Sequence, residues 1–256
     1  MSYVNAARAP WLSTLTMAGT ERILERARAA IRSVPGIGLH ADAIKLGYEQ
    51  GVLTLEGEVG DLARKKLCLE AAAGFSGIEG IVDRLRVRPA QHMGDREIRD
   101  HLRAAFLGEP AFAEMAIGEI EQGKRRTVQE PPAARAALTS EVHDGVVTLT
   151  GRMSGLVEKR LAGALAWWVP GVRDVVNGIA VDPPEAESEA GLTDAVRIVL
   201  EKDPFVNEAQ IRVRSHLTTV MLSGLVPTDS ERDMAALDAW SVFGVDKVIN
   251  NIRVHR

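Results

Sequence analysis

The sequence predicts an α+β protein made of three tandem copies of one small module, each with the element order αββαβ. The first observation behind this prediction is a stretch of seven residues that occurs three times, at residues 51–57, 145–151 and 218–224. Each copy predicts a short strand that ends in a glycine. In the first copy Leu53 and Leu55 lie two positions apart, so both side chains leave the same face of the strand. A repeated pattern is stronger evidence than any single motif.

The second observation is that the three copies stay in register, without gaps, for about thirty residues after this strand. Glycines recur before the strand, at its end and ahead of the last strand of each module: Gly51, Gly57, Gly77, Gly145, Gly151, Gly171, Gly224 and Gly244. We interpret these signature glycines as backbone bends, with a ligand site as the alternative. Each module is therefore expected to hold a small three-stranded mixed sheet and two helices.

The domain boundaries follow from the spacing of the repeat. Gly57, Gly151 and Gly224 lie 94 and then 73 residues apart, so the second module holds about 21 extra residues. This insertion is expected to be a loop or an added hairpin, because ordered loops of this length are uncommon unless they are functional or disordered. The predicted domains are a lead-in at 1–19, module 1 at 20–88, module 2 at 94–182 with the insertion at about 110–137, and module 3 at 192–256.

In module 1, Thr20 favours a helix start because threonine can cap the first turn, and Pro35-Gly36 favours its end. Apolar residues alternate over residues 42–48, which predicts the first strand. Asp61 is expected to cap the second helix. The third strand is predicted over about residues 81–87.

Modules 2 and 3 repeat this order. Asp95 is expected to cap the first helix of module 2, and the second helix of that module is predicted over residues 156–168. An acidic linker with two prolines, residues 182–189, is predicted to be extended. The first helix of module 3 is expected to open at Thr193-Asp194 and to end at Asp203-Pro204.

Composition argues against several classes of function. A net charge of -4 and 4% aromatic residues give no reason to expect a nucleic-acid partner. A single cysteine and histidines without metal spacing predict no disulfide, no metal site and no cofactor. No apolar run approaches the ~18 residues of a membrane-spanning helix. Residues 1–19 match a secretory signal poorly, so we expect a cytoplasmic protein, with the periplasm as the alternative.

The repeated pattern resembles the BON domain, a bacterial module of osmotic-shock and nodulation-related proteins. The residues that carry the resemblance best are Gly145 to Gly151, Gly171-Val172, Val176-Asn177 and Ile179-x-Val181. Residues 51–87 match nearly as well, and the third copy has Thr218 in place of the first glycine. The resemblance implies the αββαβ fold and a non-enzymatic role. It also implies links to phospholipid or other hydrophobic surfaces, to envelope stress and, in one cytoplasmic branch, to potassium sensing.

Two sets of residues are candidate surface or ligand contacts. Trp167 and Trp240 occupy the same position in modules 2 and 3, and Trp168 follows the first of them. Two roles are open for these indoles, which suit half-wet interfaces: packing or a contact between modules, and a surface anchor for lipid or a hydrophobic ligand. One basic residue recurs at a single helix position, where a solvated face and a contact with anionic headgroups are both open. These residues are Lys65, Lys159 and Arg232.

Two functions follow from these observations. The first is a non-enzymatic binding and tethering protein that contacts membrane phospholipid or envelope proteins in the response to osmotic stress, by adding up weak contacts of linked modules. The second is a cytoplasmic sensor of a small ion or solute such as potassium. No clustered set of acid, base and nucleophile favours an enzyme.

Overall fold

The computed structural model describes residues 10–38 and 43–255, and the side chains from residue 19 onward. These residues form α-helices and small mixed sheets, which confirms the predicted α+β class. The chain divides into two compact units, residues 1–86 and residues 87–256. None of the described helices is both long and apolar enough to span a bilayer.

The first unit contains module 1. Its elements are α1 (Pro10–Ser33), β1 (Lys45–Glu49), β2 (Val52–Val59), α2 (Leu62–Ala73) and β3 (Gly80–Val87). The strands form a sheet in the order β1-β2-β3, with β1 antiparallel to β2. Asp61 caps α2 as predicted, because its side chain accepts a hydrogen bond from the Arg64 amide.

Helix α1 begins at Pro10, ten residues before the predicted start at Thr20. Proline is well suited to the first helical position, because its missing amide hydrogen would have no partner there. The part of the predicted lead-in that covers residues 1–9 lies outside the described residues. So does the beginning of the predicted first strand at residue 42.

The second unit opens with module 2. Its elements are α3 (Asp95–Gly108), β4 (Met115–Glu121), β5 (Lys124–Gln129), β6 (Ala136–His143), β7 (Val146–Met153), α4 (Leu156–Trp167), β8 (Asp174–Asn177) and β9 (Ala180–Val181). The insertion folds as a 3-10 turn, Pro110–Phe112, followed by the hairpin β4–β5. Strand β4 pairs in parallel with β6, so the hairpin widens the sheet to the order β5-β4-β6-β7-β8.

Asp95 does not cap α3. The capping position is Gly94, and no side chain bonds to the helix end. The two carboxylate oxygens of Asp95 instead accept hydrogen bonds from the Asp144 and Gly145 amides at 3.0 and 2.9 Å. Asp95 therefore holds the turn between β6 and β7, where Asp144 and Gly145 both adopt positive φ.

Module 3 completes the second unit. Its elements are α5 (Glu189–Lys202), β10 (Ile211–His216), β11 (Thr219–Val226), α6 (Asp229–Ser241) and β12 (Lys247–Val254). Helix α5 begins four residues before the predicted Thr193, because Ser188 caps it by accepting from the Gly191 amide. In the sheet order β10-β11-β12, strand β11 is antiparallel to β10 and parallel to β12.

The second unit is layered as sheet, helices, helices, sheet. Helices α3 and α4 cover the sheet of module 2, and α5 and α6 cover the sheet of module 3. Helix α4 also packs against α5 and α6, so it is buried on both sides. Small residues allow this close packing of helices: Ala162, Gly163, Ala164 and Ala166 are buried in α4.

The glycine at the end of each repeated strand is required by a close backbone approach. Gly151 has φ +134, and a Cβ atom there would lie 2.0 Å from the carbonyl oxygen of Ala137 on β6. Gly224 has φ +158, and its Cβ would lie 2.1 Å from the Gln210 carbonyl oxygen. Any other residue would clash with the preceding strand. The geometry thus explains these glycines without a ligand.

Candidate functional site

The outward-facing surface of the sheet in module 3 carries exposed basic and apolar side chains. Alternate residues of β10, β11 and β12 are buried beneath α5 and α6, as Val213, Leu222 and Ile252 are. The residues between them point away from the helices. We call them the outer face: Arg212, Arg214, His216, Thr219, Met221, Ser223, Leu225, Lys247, Ile249, Asn251 and Arg253.

Three apolar side chains are exposed on the outer face. Met221 is 42% exposed, Leu225 is 47% exposed and Ile249 is 37% exposed. Met221 and Ile249 are register partners on neighbouring strands, so they form a continuous apolar area. Such an area is not needed by the core, which lies on the other side of the sheet.

Basic side chains surround this apolar area. Arg212 and Arg214 lie on β10, and Lys247 and Arg253 lie on β12. All four are exposed, and within the described residues none of them forms an ion pair. No position of the outer face carries a carboxylate. The surface therefore combines a positive rim with an apolar centre.

The carboxylate of Glu189 lies at the hairpin end of this surface. Its Oε1 atom lies 2.9 Å from Nδ1 of His216 and accepts a hydrogen bond from the Leu217 amide at 3.0 Å. The backbone hydrogen bond from Leu217 is the main reason that the pKa of Glu189 lies below its usual range. Glu189 thus holds the β10–β11 turn, as Asp95 holds the equivalent turn of module 2.

The corresponding surface of module 1 is neutralised. Its outward positions on β1 and β2 include Glu49, Glu56 and Glu58. Glu56 pairs with Lys45 at 3.9 Å and with Arg84 at 3.7 Å. The unpaired positive surface is therefore a property of module 3 and not of the repeated fold.

The predicted tryptophan contacts lie mainly inside the second unit. Trp240 is 5% exposed, and Trp167 is half-buried. Trp168 donates a hydrogen bond from Nε1 to Oδ1 of Asp238 at 2.9 Å, which joins module 2 to module 3. The structure therefore does not bring the three indoles together on one surface.

The predicted basic contacts are also engaged in internal interactions. Lys65 is 4% exposed, and its Nζ donates to the Leu85 carbonyl at 2.8 Å and lies 2.9 Å from Oδ2 of Asp83. Arg232 is half-buried and pairs with Asp229 and Asp233. The hydrogen bond to Asp233 is the main reason that the pKa of Arg232 is raised.

Lys159 lies at the boundary between modules 2 and 3. Its Nζ stands 4.4 Å from the centre of the Phe243 ring, a cation–π contact. Burial lowers the pKa of Lys159, an effect that Glu187 opposes and Arg160 reinforces. Lys65, Lys159 and Arg232 share a position in the repeat, but each lies in a different environment.

Arg160 is the central contact between the two modules. It is 1% exposed, its Nε donates to the Phe243 carbonyl at 3.1 Å, and it pairs with Glu187 of the linker. A second carboxylate of the linker, Glu185, accepts from the Leu156 amide at the start of α4 at 2.7 Å. The acidic linker therefore packs against module 2 through its carboxylates.

Two buried carboxyl groups lie beside this boundary. Asp238 is 5% exposed and Asp203 is 8% exposed. Burial is the main reason that the pKa of Asp238 rises to about 8, and the neighbouring charge of Asp203 adds to it. Oδ2 of Asp238 accepts no hydrogen bond from the described residues. When this oxygen is protonated, it can donate a hydrogen bond to Asp203. Trp168 opposes the rise by donating to the other oxygen.

One group of side chains has the composition of a metal site. Ligand atoms of Asp95, His143 and Asp144 lie within 4.8 Å of one another. Both oxygens of Asp95 already accept backbone amides of the turn, and the other two residues are exposed. The turn-holding role explains this group, and Glu189 repeats that role in module 3.

The sequence contains a signal for the outer face that the repeat alignment does not reveal. Residues 211–214 alternate apolar and basic side chains, a pattern typical of a strand with one buried and one positive face. Modules 1 and 2 lack this four-residue alternation, so it is not among the positions that the copies share.

Three repeated αββαβ modules, of which the second and third pack against each other, define a multi-module protein. The profile of the BON domain family matches residues 19–89, 124–183 and 188–256. These stretches make up more than half of the chain, so the protein belongs to the BON domain family, as three tandem copies. The predicted resemblance is thereby confirmed, and domains of this family are generally non-enzymatic and are associated with phospholipid and envelope partners.

None of the curated proteins matches the chain. Two solved structures of CdsD, a structural protein of the type III secretion system of Chlamydia trachomatis, are similar over 91% of this chain. The matched regions make up 98% and 92% of the two CdsD chains, the sequence identities are 13% and 14%, and the TM-score is 0.24 in both cases. A TM-score this low supports no inference about the fold or the function of this protein.

Proposed function

We propose that the chain is a non-enzymatic binding and tethering protein whose third module docks on anionic phospholipid through its outer face. The observation that supports this is the combination of four unpaired cations with an exposed apolar centre and no carboxylate. Cations attract the headgroups, and Met221, Leu225 and Ile249 can enter the interface between headgroups and acyl chains.

The expected affinity of this surface is low. Each basic residue near an anionic membrane contributes about 1 kcal/mol, so Arg212, Arg214, Lys247 and Arg253 contribute about 4 kcal/mol together. That free energy corresponds to a dissociation constant of about 1 mM, which the apolar side chains would lower further. Binding through this face is therefore reversible and falls as salt rises.

The same surface suggests a role for the protein in osmotic or envelope stress. A tether of this kind suits a protein that acts in osmotic or envelope stress, because weak contacts of linked modules add up on a shared surface. In the cytoplasm the face would meet a leaflet that carries anionic lipids. Sensing of potassium or another small ion stays a prediction.

Vesicle co-sedimentation of the full chain tests the proposal. We expect binding to vesicles of phosphatidylglycerol mixed with phosphatidylcholine and little binding to pure phosphatidylcholine. The test variant changes the four cations of the outer face to glutamine: R212Q, R214Q, K247Q and R253Q. The matched control removes four exposed cations around the β4–β5 hairpin of module 2: K124Q, R125Q, R126Q and R135Q.

The two variants carry the same net charge, so nonspecific attraction falls equally in both. We expect the outer-face variant to lose binding to anionic vesicles and the control variant to retain most of it. Equal losses in the two variants, or no binding of the unmodified chain to anionic vesicles at low salt, would refute the proposal.

A further inference from the structure

Strand β10 has a free edge along which a cavity runs. In the sheet order β10-β11-β12, strand β10 has a partner on one side only. A cavity of about 570 Å³ lies along it, lined by five consecutive residues that include the first part of β10, together with Arg197 of α5. The other lining residues come from β11. The full lining is Arg197, Ala209, Gln210, Ile211, Arg212, Val213, Ser223 and Gly224.

Module 2 shows what fits at this edge. Leu138 of β6 pairs with Gly151, and Ile211 of β10 pairs with Gly224, so these two strands occupy equivalent places. Strand β4 pairs in parallel with residues 136–141 of β6. Those residues correspond to 209–214 of module 3. The cavity therefore lies where the added strand lies in module 2.

The added strand of module 2 is held by an ion pair whose carboxylate is buried. Glu119 on β4 is 3% exposed and makes two hydrogen bonds with Arg103 of α3, from Nε at 2.6 Å and from Nη2 at 2.7 Å. The hydrogen bond to Glu119 is the main reason that the pKa of Arg103 is raised. A planar guanidinium that meets a carboxylate in this forked geometry gives a strong and directional bond.

Arg197 is the counterpart of Arg103. Helices α3 and α5 have their capping residues at Gly94 and Ser188 and end before Glu109 and Asp203, so equivalent positions differ by 94 throughout. Arg197 is exposed, and within the described residues it forms no ion pair. Module 3 thus keeps the arginine of the pair and a free strand edge, without the strand that carries the carboxylate.

We propose that the free edge of β10 binds an extended acidic segment of a partner protein as an added parallel strand, with a carboxylate of that segment paired to Arg197. The inference is independent of lipid binding by the outer face. Addition of a strand to a free sheet edge is a general mode of peptide recognition, in which main-chain hydrogen bonds supply affinity and alternate side chains supply specificity. An uncovered edge without a partner is a liability that proteins usually avoid.

The pairing in module 2 predicts the sequence of the segment. Met115, Ile117 and Glu119 of β4 are 5%, 1% and 3% exposed and point toward the helices. They pair with residues of β6 that correspond to Ala209, Ile211 and Val213. The bound segment should carry apolar residues at its first and third positions and an aspartate or glutamate at its fifth.

A peptide with the sequence of residues 115–120, Met-Ala-Ile-Gly-Glu-Ile, tests the proposal. Fluorescence anisotropy with a labelled, end-capped peptide measures its binding to the full chain. We expect saturable binding below about 1 mM, at least about tenfold weaker binding to the variant R197E, and the same loss when the peptide carries glutamine at its fifth position. A peptide with lysine at that position should regain binding to R197E.

The control variant is R135E, which makes the same charge change at an exposed residue of module 2, away from β10. Circular dichroism and the unfolding midpoint establish that each variant is folded. No saturable binding, or equal losses in R197E and R135E, would overturn the proposal. Sedimentation that showed a dimer of the full chain dissolved by R197E would overturn the assignment to a partner protein, because the bound strand would then come from a second copy.

Discussion

We expect the free energy of unfolding to depend on pH because the carboxyl group of Asp238 is buried. The folded protein raises the pKa of this group from 3.8 to about 8, because burial disfavours its charged form and Asp203 lies beside it. A raised pKa means that the folded state binds the proton more tightly than the unfolded state. This stabilisation is complete below about pH 4 and is lost as the pH rises toward about 8.

The size of the effect follows from the two pKa values. A tenfold change in proton affinity corresponds to about 1.4 kcal/mol, so the whole difference amounts to about 6 kcal/mol. By pH 7 about 4 kcal/mol of it has been lost. Relaxation around a buried charge reduces such values, so we expect a change of about 2 to 4 kcal/mol between pH 4 and pH 8.

Substitution of Asp238 by asparagine isolates this contribution. The amide has the shape of the protonated carboxyl: its oxygen can accept from Trp168, and its NH2 group can donate to Asp203. Asp238→Asn should therefore raise the free energy of unfolding at pH 8 by about 2 to 4 kcal/mol and leave it nearly unchanged at pH 4. The matched control is Asp246→Asn, an exposed aspartate of the same module.

Urea unfolding followed by tryptophan fluorescence measures this free energy, because Trp167, Trp168 and Trp240 all lie in the second unit. Measurements at steps between pH 4 and pH 8 should show a slope in the unmodified chain that Asp238→Asn removes and Asp246→Asn retains. If Asp238→Asn kept the full slope, or were less stable at pH 8 than the unmodified chain, the assignment of a buried proton to Asp238 would be wrong.

Three further predictions concern single sites. Trp168→Phe removes the donor to Asp238 and leaves a buried oxygen without a partner, so urea unfolding should show a loss of about 1–3 kcal/mol. Gly151→Ala forces a Cβ atom against a carbonyl and should lower the thermal midpoint severely, whereas Gly108→Ala, where nothing lies within 4 Å, should change it little. Cys68 is fully buried and its pKa is raised to about 11, so a thiol reagent at pH 8 should react with it only as module 1 unfolds.

The fold could be predicted from the sequence because its determinants are local and repeated. A glycine after each strand, alternating apolar residues and a polar cap at Asp61 act within a few residues of chain. The errors have the same origin. Pro10 and Ser188 start their helices earlier than predicted, since they are good first-turn and capping residues that lie upstream of the apolar stripes.

The contacts between modules could not be predicted because they depend on partners far along the chain. Trp168 and Asp238 are 70 residues apart, and nothing local to either indicates that they bond. The sequence could suggest that a tryptophan at a helix end has a special role, but not whether it faces a neighbouring module or solvent. The two arginines of β10 on the outer face, by contrast, follow from the local alternation of residues 211–214.

Comparison of the three copies separates what the fold requires from what a partner could recognise. The copies agree at the glycine that ends each repeated strand, where a Cβ atom would approach the preceding strand, and they keep aliphatic residues at the buried positions of that strand. They differ at the position of Arg160, which is Lys66 in module 1 and Asp233 in module 3, and only the arginine of module 2 reaches across to the Phe243 carbonyl. Module 2 therefore uses its variable positions to hold module 3 and to cover its own sheet edge. Module 3 leaves its positive sheet face uncovered and keeps Arg197 beside the free edge of β10, and these are the differences on which the proposed binding surfaces rest.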